Sequence, residues 1–421
     1  MKRVLCAAAA SVLVSTAVLT RLFAQDGQAN LSSLLKDASI KALLDSVRAG
    51  EPRTIEDQIR FCEVPAPPFK EMARGEVLRQ TFQQLGLRNV RLDKAGNVLG
   101  DRPGMASRPR VVLSAHLDTV FPGEVDVRVT RDGTLLRGPG IGDDCRGLAV
   151  MVGTIRALSQ SKLQTAGTIT FVATVGEEGL GDLRGVKQLF NDTLAGSVDR
   201  FVSIDGTGLG VTNVGVGSLR YRVTFKGPGG HSFAAFGLAS PIGALGRAIA
   251  KIADFQVPQA PKTTFNVGRV GGGTSVNSIP SDAWMEVDMR SSAAAALAAL
   301  DARFQKAIDA SVTEENDRWH APGTVTVVKE RVGDRPAGST PADSPIIRTV
   351  EAVHRTLGLP IAFSESSTDS NIPMSLRVPA VTIGGGGRGA GAHSTTESFD
   401  TTDSWRGTER ALLFVIALAQ K

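Results

Sequence analysis

TITFVATVGEEGLGD, residues 168–182, decides the fold. Its first seven residues form an apolar run of strand length, rich in β-branched side chains, and the glycines beyond it end the strand. Two adjacent acids, Glu177 and Glu178, stand just past that end. Upstream, VVLSA at 111–115 is a second such run, followed at once by His116 and Asp118. Between the two lies LAVMVGTIRALSQ, residues 148–160, with helical spacing of its apolar side chains. Downstream, RFVSID at 200–205 is a third strand, ending on Asp205. Strands alternating with helices predict an α/β domain with a mainly parallel sheet. Open sheets of that kind bind ligands beyond the carboxyl ends of their strands, which is where these acids and His116 fall.

The pattern changes near 215. YRVTFKG, a helix around 240–253, FNVGRVGG, WMEVDMR, an alanine-rich helix at 292–311 and TVTVVKE follow in turn. That βαββαβ order predicts a small ferredoxin-like domain, two helices on an antiparallel sheet. From about 345 the helix–strand alternation returns. The expected organisation is a catalytic domain in two pieces, 25–214 and 333–421, interrupted by an inserted lid domain at 215–332. Upstream, residues 31–63 carry helical periodicity that PAPPF at 65–69 ends, because proline blocks continuation.

Residues 1–24 combine a basic start, an apolar run and a small residue, Ala24, at their end. This reads as a secretory signal peptide, too short for a membrane span, and places the mature chain in the periplasm or outside the cell. Its removal takes away Lys2, Arg3 and Arg21, so the formal charge of +5 falls to +2. No basic stripe points to nucleic acid. Only Cys62 and Cys145 of the three cysteines remain, too few for a disulfide framework.

Five turns carry the chemistry: His116 and Asp118 in SAHLDT, Asp143 and Asp144 in GPGIGDDCRG, Glu177 and Glu178, Asp205, and His393 in GAHSTTESFD. Singly each has a bland reading as a capped or solvated turn. Together they hold two of the chain's five histidines. Imidazole and carboxylate donors without a thiolate set suit zinc or a similar ion. Two histidines and three carboxylates fill two three-ligand sites only if one carboxylate bridges both ions. Two cations would also offset the repulsion within the Asp143–Asp144 pair. Asp118, two residues after His116, faces the same side and would fix the imidazole tautomer. Of Glu177 and Glu178, one is placed to bind metal and the other to act as general base.

HLDTV, GPGIGDDCRG, EEGLGDLRG, GPGGHS, GGTSVNSIP and AHSTTESFD occur in the order found in family twenty of the metallopeptidases, and over roughly residues 50–421 the chain resembles that family. Its members include tripeptide aminopeptidase, glutamate carboxypeptidase, aminoacylases and succinyl-diaminopimelate desuccinylase. The resemblance implies a zinc-exopeptidase-like fold and two zinc ions, with cobalt or manganese as substitutes. It assigns His116 and Asp205 to one ion, Glu178 and His393 to the other, and Asp144 to both. Glu177 becomes the general base and Asp118 the orienting acid. His231 of GPGGHS would bind the oxyanion, in some relatives from a partner subunit, which implies a homodimer through the lid. Asn277, Arg290 and Arg335 resemble positions that contact substrate. The implied reaction is amide hydrolysis of a small peptide by an exopeptidase. The alternative is an N-acyl-amino-acid deacylase, and a non-catalytic metal-binding protein is a third reading. Relatives commonly carry Lys and Gly after the bridging aspartate, where this chain has Cys145 and Arg146. The peptide bond there is often cis in relatives, so Asp144–Cys145 is expected to be cis. With no spare histidine to activate it, Cys145 is not expected to be a ligand or nucleophile.

Overall fold

The computed structural model describes residues 37–319 and 323–420. The expected signal peptide lies outside the described residues. The described residues divide into two compact units: one of residues 37–213, 340–364 and 377–420, the other of 214–319, 323–339 and 365–376.

In the first unit, helix α1 (Ala38–Cys62) and helix α2 (Met72–Gln84) precede strands β1 (Arg88–Leu92), β2 (Val98–Arg102) and β3 (Arg110–His116). Helix α3 (Cys145–Gln160) leads to β4 (Thr168–Thr174), β5 (Arg200–Ile204) and β6 (Val211–Gly215). After the second unit come α6 (Pro345–Thr356), β11 (Ala380–Ile383) and α7 (Trp405–Ala419). The sheet runs in the order β1-β2-β4-β3-β5-β11-β6. Its centre is parallel: β3 pairs with β4 and β5, and β5 with β11. Antiparallel β1, β2 and β6 flank that centre.

The central strands explain the unbroken apolar runs. All seven residues of β4 are buried, and so are the last six of β3, because helices cover both faces. Helices α1, α3, α6 and α7 supply much of the same core, including Ile40, Phe61, Val150, Met151, Ile346, Leu412 and Phe414. Burying each large side chain of this kind contributes roughly 1.5–3 kcal/mol. The parallel register brings the carboxyl ends of β3, β4, β5 and β11 to one edge of the sheet.

The second unit contains β7 (Gly217–Lys226), α4 (Pro241–Ala253), β8 (Thr263–Gly272), β9 (Asp282–Ser291), α5 (Ala294–Trp319) and β10 (Thr326–Arg335). The antiparallel sheet is ordered β8-β9-β7-β10. Along β9, Ala283, Met285, Val287 and Met289 point into a core shared with α4 and α5, and the intervening side chains are less buried. This alternation belongs to a sheet with one face covered. The unit extends beyond the stretch read from sequence, to Ser339, and takes in Glu365–Leu376 from a distant part of the chain. Asn371 explains that recruitment: its amide donates to the carbonyls of Val216 and Pro336, each at 2.9 Å. Among the described residues, no helix is long and apolar enough to cross a membrane.

Candidate metal centre

Each strand end delivers one or two donors. His116 is the last residue of β3, Asp205 follows β5, and Glu177 and Glu178 lie just beyond β4. Asp143 lies in the turn before α3, and His393 sits on the loop after β11 in a left-handed conformation, φ +64°. His116 Nε2 lies 3.0 Å from Asp143 Oδ1, and His393 Nε2 lies 3.1 Å from Asp143 Oδ2. Asp205 Oδ1 is 4.0 Å from His116 Nε2, and Glu178 Oε1 is 3.0 Å from His393 Nε2. The donors thus form the sets His116–Asp143–Asp205 and Asp143–Glu178–His393, with the Glu177 carboxylate beside His116 and Glu178.

The carboxylate common to both sets is Asp143, which corrects the expectation that Asp144 bridges. Asp144 is wholly buried and occupied elsewhere. It caps α3, accepting from Gly147 N at 3.0 Å, and also accepts from His116 N at 3.0 Å and Gly206 N at 3.3 Å. The cis bond likewise falls one residue earlier than expected, at Asp143–Asp144. The residue after this turn begins a helix, so its predecessor is committed as the N-cap. Gly147 is required for that cap: a Cβ there would lie 2.2 Å from Asp144 Oδ1.

Asp118 has a second task beside the one expected of its carboxylate. The Nδ1 of His116 is 3.0 Å from the Asp118 main-chain oxygen and 3.7 Å from the nearer carboxylate oxygen. The carboxylate also accepts the amides of Glu177, at 3.0 Å, and Glu178, at 2.8 Å. Asp118 therefore meets the imidazole with its main-chain oxygen and, at longer range, its carboxylate, and the same carboxylate holds the Glu177–Glu178 turn.

Sequence reading also missed Glu397. Its carboxylate accepts from Gly140 N at 2.9 Å, Gly142 N at 2.8 Å and Asp143 N at 3.0 Å, tying the Asp143 turn to the loop that carries His393. Arg146, one of the residues that departs from the resemblance, holds the two ends of the same loop. It donates to the Gly385 carbonyl at 2.7 Å and the Ser404 carbonyl at 2.6 Å, and pairs with buried Glu51 at 2.9 Å.

Crowding shows in the proton affinities. Burial, joined by Glu177 and Asp143, pushes the Glu178 carboxyl up to about 7. Burial also raises Asp205 and Asp144, each next to other acids. Burial works the same way on Asp143, but hydrogen bonds from His116 and His393 outweigh it and hold this carboxyl below the usual range. In turn Asp143 lifts His393 to about 9. Burial opposes charge on His116, yet Asp144, Asp118 and Asp143 raise it. Four carboxylates thus converge on a volume that two imidazoles only partly neutralise. Nitrogen and oxygen donors arranged as two sets around one shared carboxylate fit a pair of zinc-like cations.

The other sequence candidates lie in the second unit. His231 and Ser278 face each other in a short antiparallel pairing, and Ser232 N donates to the Asn277 carbonyl at 2.9 Å, so His231 and Asn277 are neighbours. The His231 imidazole is exposed, its Nδ1 accepting from Phe233 N at 3.3 Å. Arg290 lines a cavity of about 310 Å³ with Lys262, Thr264 and residues 365–367. Buried Arg335 donates to Ser367 Oγ at 3.2 Å.

Residues 112–416 match peptidase family M20/M25/M40, and the chain belongs to that family. It is a metal-dependent peptide-bond hydrolase. It is 27% identical over 258 residues to the uncharacterized protein YqjE of Bacillus subtilis, covering 57% of this chain and 67% of that protein. It is 24% identical over 351 residues to succinyl-diaminopimelate desuccinylase of Nitrosospira multiformis, covering 78% and 88%. The fold is that of a tripeptidase from Staphylococcus aureus, with a TM-score of 0.72 and 22% identity over 88% of this chain and 99% of that one.

Proposed function

We propose that the chain is a zinc-dependent exopeptidase of di- and tripeptides. In this reading His116 and Asp205 hold one ion, Glu178 and His393 the other, and Asp143 both. The observation that carries it is the shared carboxylate, whose two oxygens each face a different histidine. Bound there, a zinc pair would supply Lewis acidity to a water molecule and to an amide carbonyl. Glu177, buried beside both donor sets, is the base that takes the proton from the attacking water and returns it to the leaving amine. Asp118 and Glu397 hold the turns that aim Glu177 and Asp143. His231 serves the oxyanion, and Asn277, Arg290 and Arg335 the ends of the substrate; these roles rest on the sequence motifs.

Similarity to a desuccinylase favours a second reading, in which an N-acyl amino acid is the substrate. Both readings cleave an amide and differ in which end is recognised. Export is supported by the pattern of residues 1–24, and a homodimer through the second unit by the motif around His231. The test combines metal analysis with a panel of free, N-blocked and C-amidated di- and tripeptides and acyl amino acids. Hydrolysis of free peptides supports the exopeptidase, hydrolysis confined to acylated amino acids the deacylase, and no turnover by zinc-loaded protein overturns both. Glu177→Gln is expected to lose at least 100-fold in kcat, the scale of a general-base contribution, while keeping two zinc ions. Substantial activity in that variant would show that the base is another group.

A further inference from the structure

Cys62 closes α1 and Cys145 opens α3, so the two are far apart in sequence. Both are free thiols and both are wholly buried. The two meet neighbouring carbonyls of one turn: Cys62 Sγ donates to the Pro139 carbonyl at 3.4 Å, and Cys145 N donates to the Gly140 carbonyl at 3.2 Å. Around them is a small apolar cluster of Ile55, Leu136, Ile141 and Phe399. Among the described residues, neither thiol belongs to a group of metal donors. The proposed chemistry therefore uses neither of them.

Their position is nonetheless specific. Cys145 adjoins Asp144, whose carboxylate holds the His116 amide, and stands two residues from Asp143. On the other side, the Cys62 carbonyl accepts from Arg74 Nη2 at 3.2 Å, and Arg74 Nη1 donates to the Leu117 carbonyl at 2.7 Å. The end of α1 is thus already clasped to the strand end that carries His116. A bond from Cys62 to Cys145 would tie it to the turn that carries Asp143 as well.

We propose that Cys62 and Cys145 form a disulfide when the chain folds in an oxidising environment, stapling α1 to the metal-binding turn. Adjacent thiols in such a compartment are expected to be bridged. The oxidant is a second disulfide, such as oxidised glutathione. One cysteine attacks it and expels a thiol, and the other cysteine displaces the mixed disulfide. Two S–H bonds are lost and one S–S bond forms. The two protons and two electrons leave with the oxidant as a pair of thiols.

The experiment synthesises the full chain, with Cys6→Ser so that only this pair is counted, in a cell-free extract containing oxidised glutathione. The monodisperse folded fraction is denatured without reductant, treated with a maleimide and mapped by mass spectrometry. The expected result is no label on either cysteine and a single linked peptide joining positions 62 and 145. Reduction should then lower the thermal midpoint by about 5 °C or more, because the bridge closes a long loop. The double variant Cys62→Ala, Cys145→Ala should show no response to reductant. Full labelling of both cysteines in folded protein, or their capture by glutathione or by another chain, would overturn the proposal.

Discussion

Removing the Glu397 carboxylate should loosen the metal-binding turn without touching a metal ligand. Glu397 sits four residues after His393, yet it accepts three amides of the Gly140–Asp143 turn, all inside the protein. Leaving a buried N–H without an acceptor costs about 1–3 kcal/mol. Glu397→Ala orphans all three, and with water repairing part of the loss the expected destabilisation is roughly 3–6 kcal/mol. Glu397→Gln keeps the oxygen shared by Gly142 and Asp143 but turns an NH2 toward Gly140 N, an expected loss of about 1–3 kcal/mol. Because Asp143 N is one of the three donors, zinc affinity should fall as well, about 10–100-fold as for other outer-shell changes. Urea unfolding of the metal-free proteins gives the first quantity and competitive chelator titration the second. A Glu397→Ala protein with wild-type midpoint and wild-type zinc affinity would refute the positioning role.

Other consequences follow from the same geometry. Gly147→Ala would normally favour a helix, but its Cβ would lie against both Asp144 oxygens, at 2.2 and 2.4 Å. Displacing the cap and overpacking the turn should cost about 2–4 kcal/mol by urea unfolding, whereas equal or greater stability would show that the cap is dispensable. Metal binding requires Glu178 ionised and His393 neutral, and in the metal-free protein these groups are pushed up to about 7 and about 9. Zinc uptake should therefore release protons, and apparent affinity should rise with pH through this range. Calorimetry in buffers of different ionisation enthalpy measures this, and a pH-independent affinity would contradict it. In the metal-free protein His393 adds stability below its unfolded pKa and loses it as pH rises toward 9, because its folded pKa is raised. Glu178, also raised, makes the metal-free fold less stable as pH climbs from its ordinary carboxyl range toward 7.

The sequence carried the sheet well because the central strands are buried on both faces and so read as unbroken apolar runs. TITFVAT coincides with β4, and VVLSA lies within β3. It also carried which turns converge, since parallel strands release their ends on one side. What local pattern did not resolve was which of two adjacent acids faces the histidines. The deciding signal was present but overlooked: α3 begins at Cys145, three residues before the helix read from the sequence, which makes Asp144 an N-cap. Glu397 escaped because its partners lie some 250 residues away and no local spacing marks them. The same holds for residues 365–376, which join the second unit through Asn371.

The central claim is that Asp143, and not its neighbour, is the carboxylate shared by two ions. Anomalous diffraction at the zinc edge from zinc-soaked crystals tests it directly. The account requires two peaks, one on each side of the Asp143 carboxylate, the first next to His116 and Asp205 and the second next to Glu178 and His393. A single peak, or a pair centred on Asp144, would contradict it.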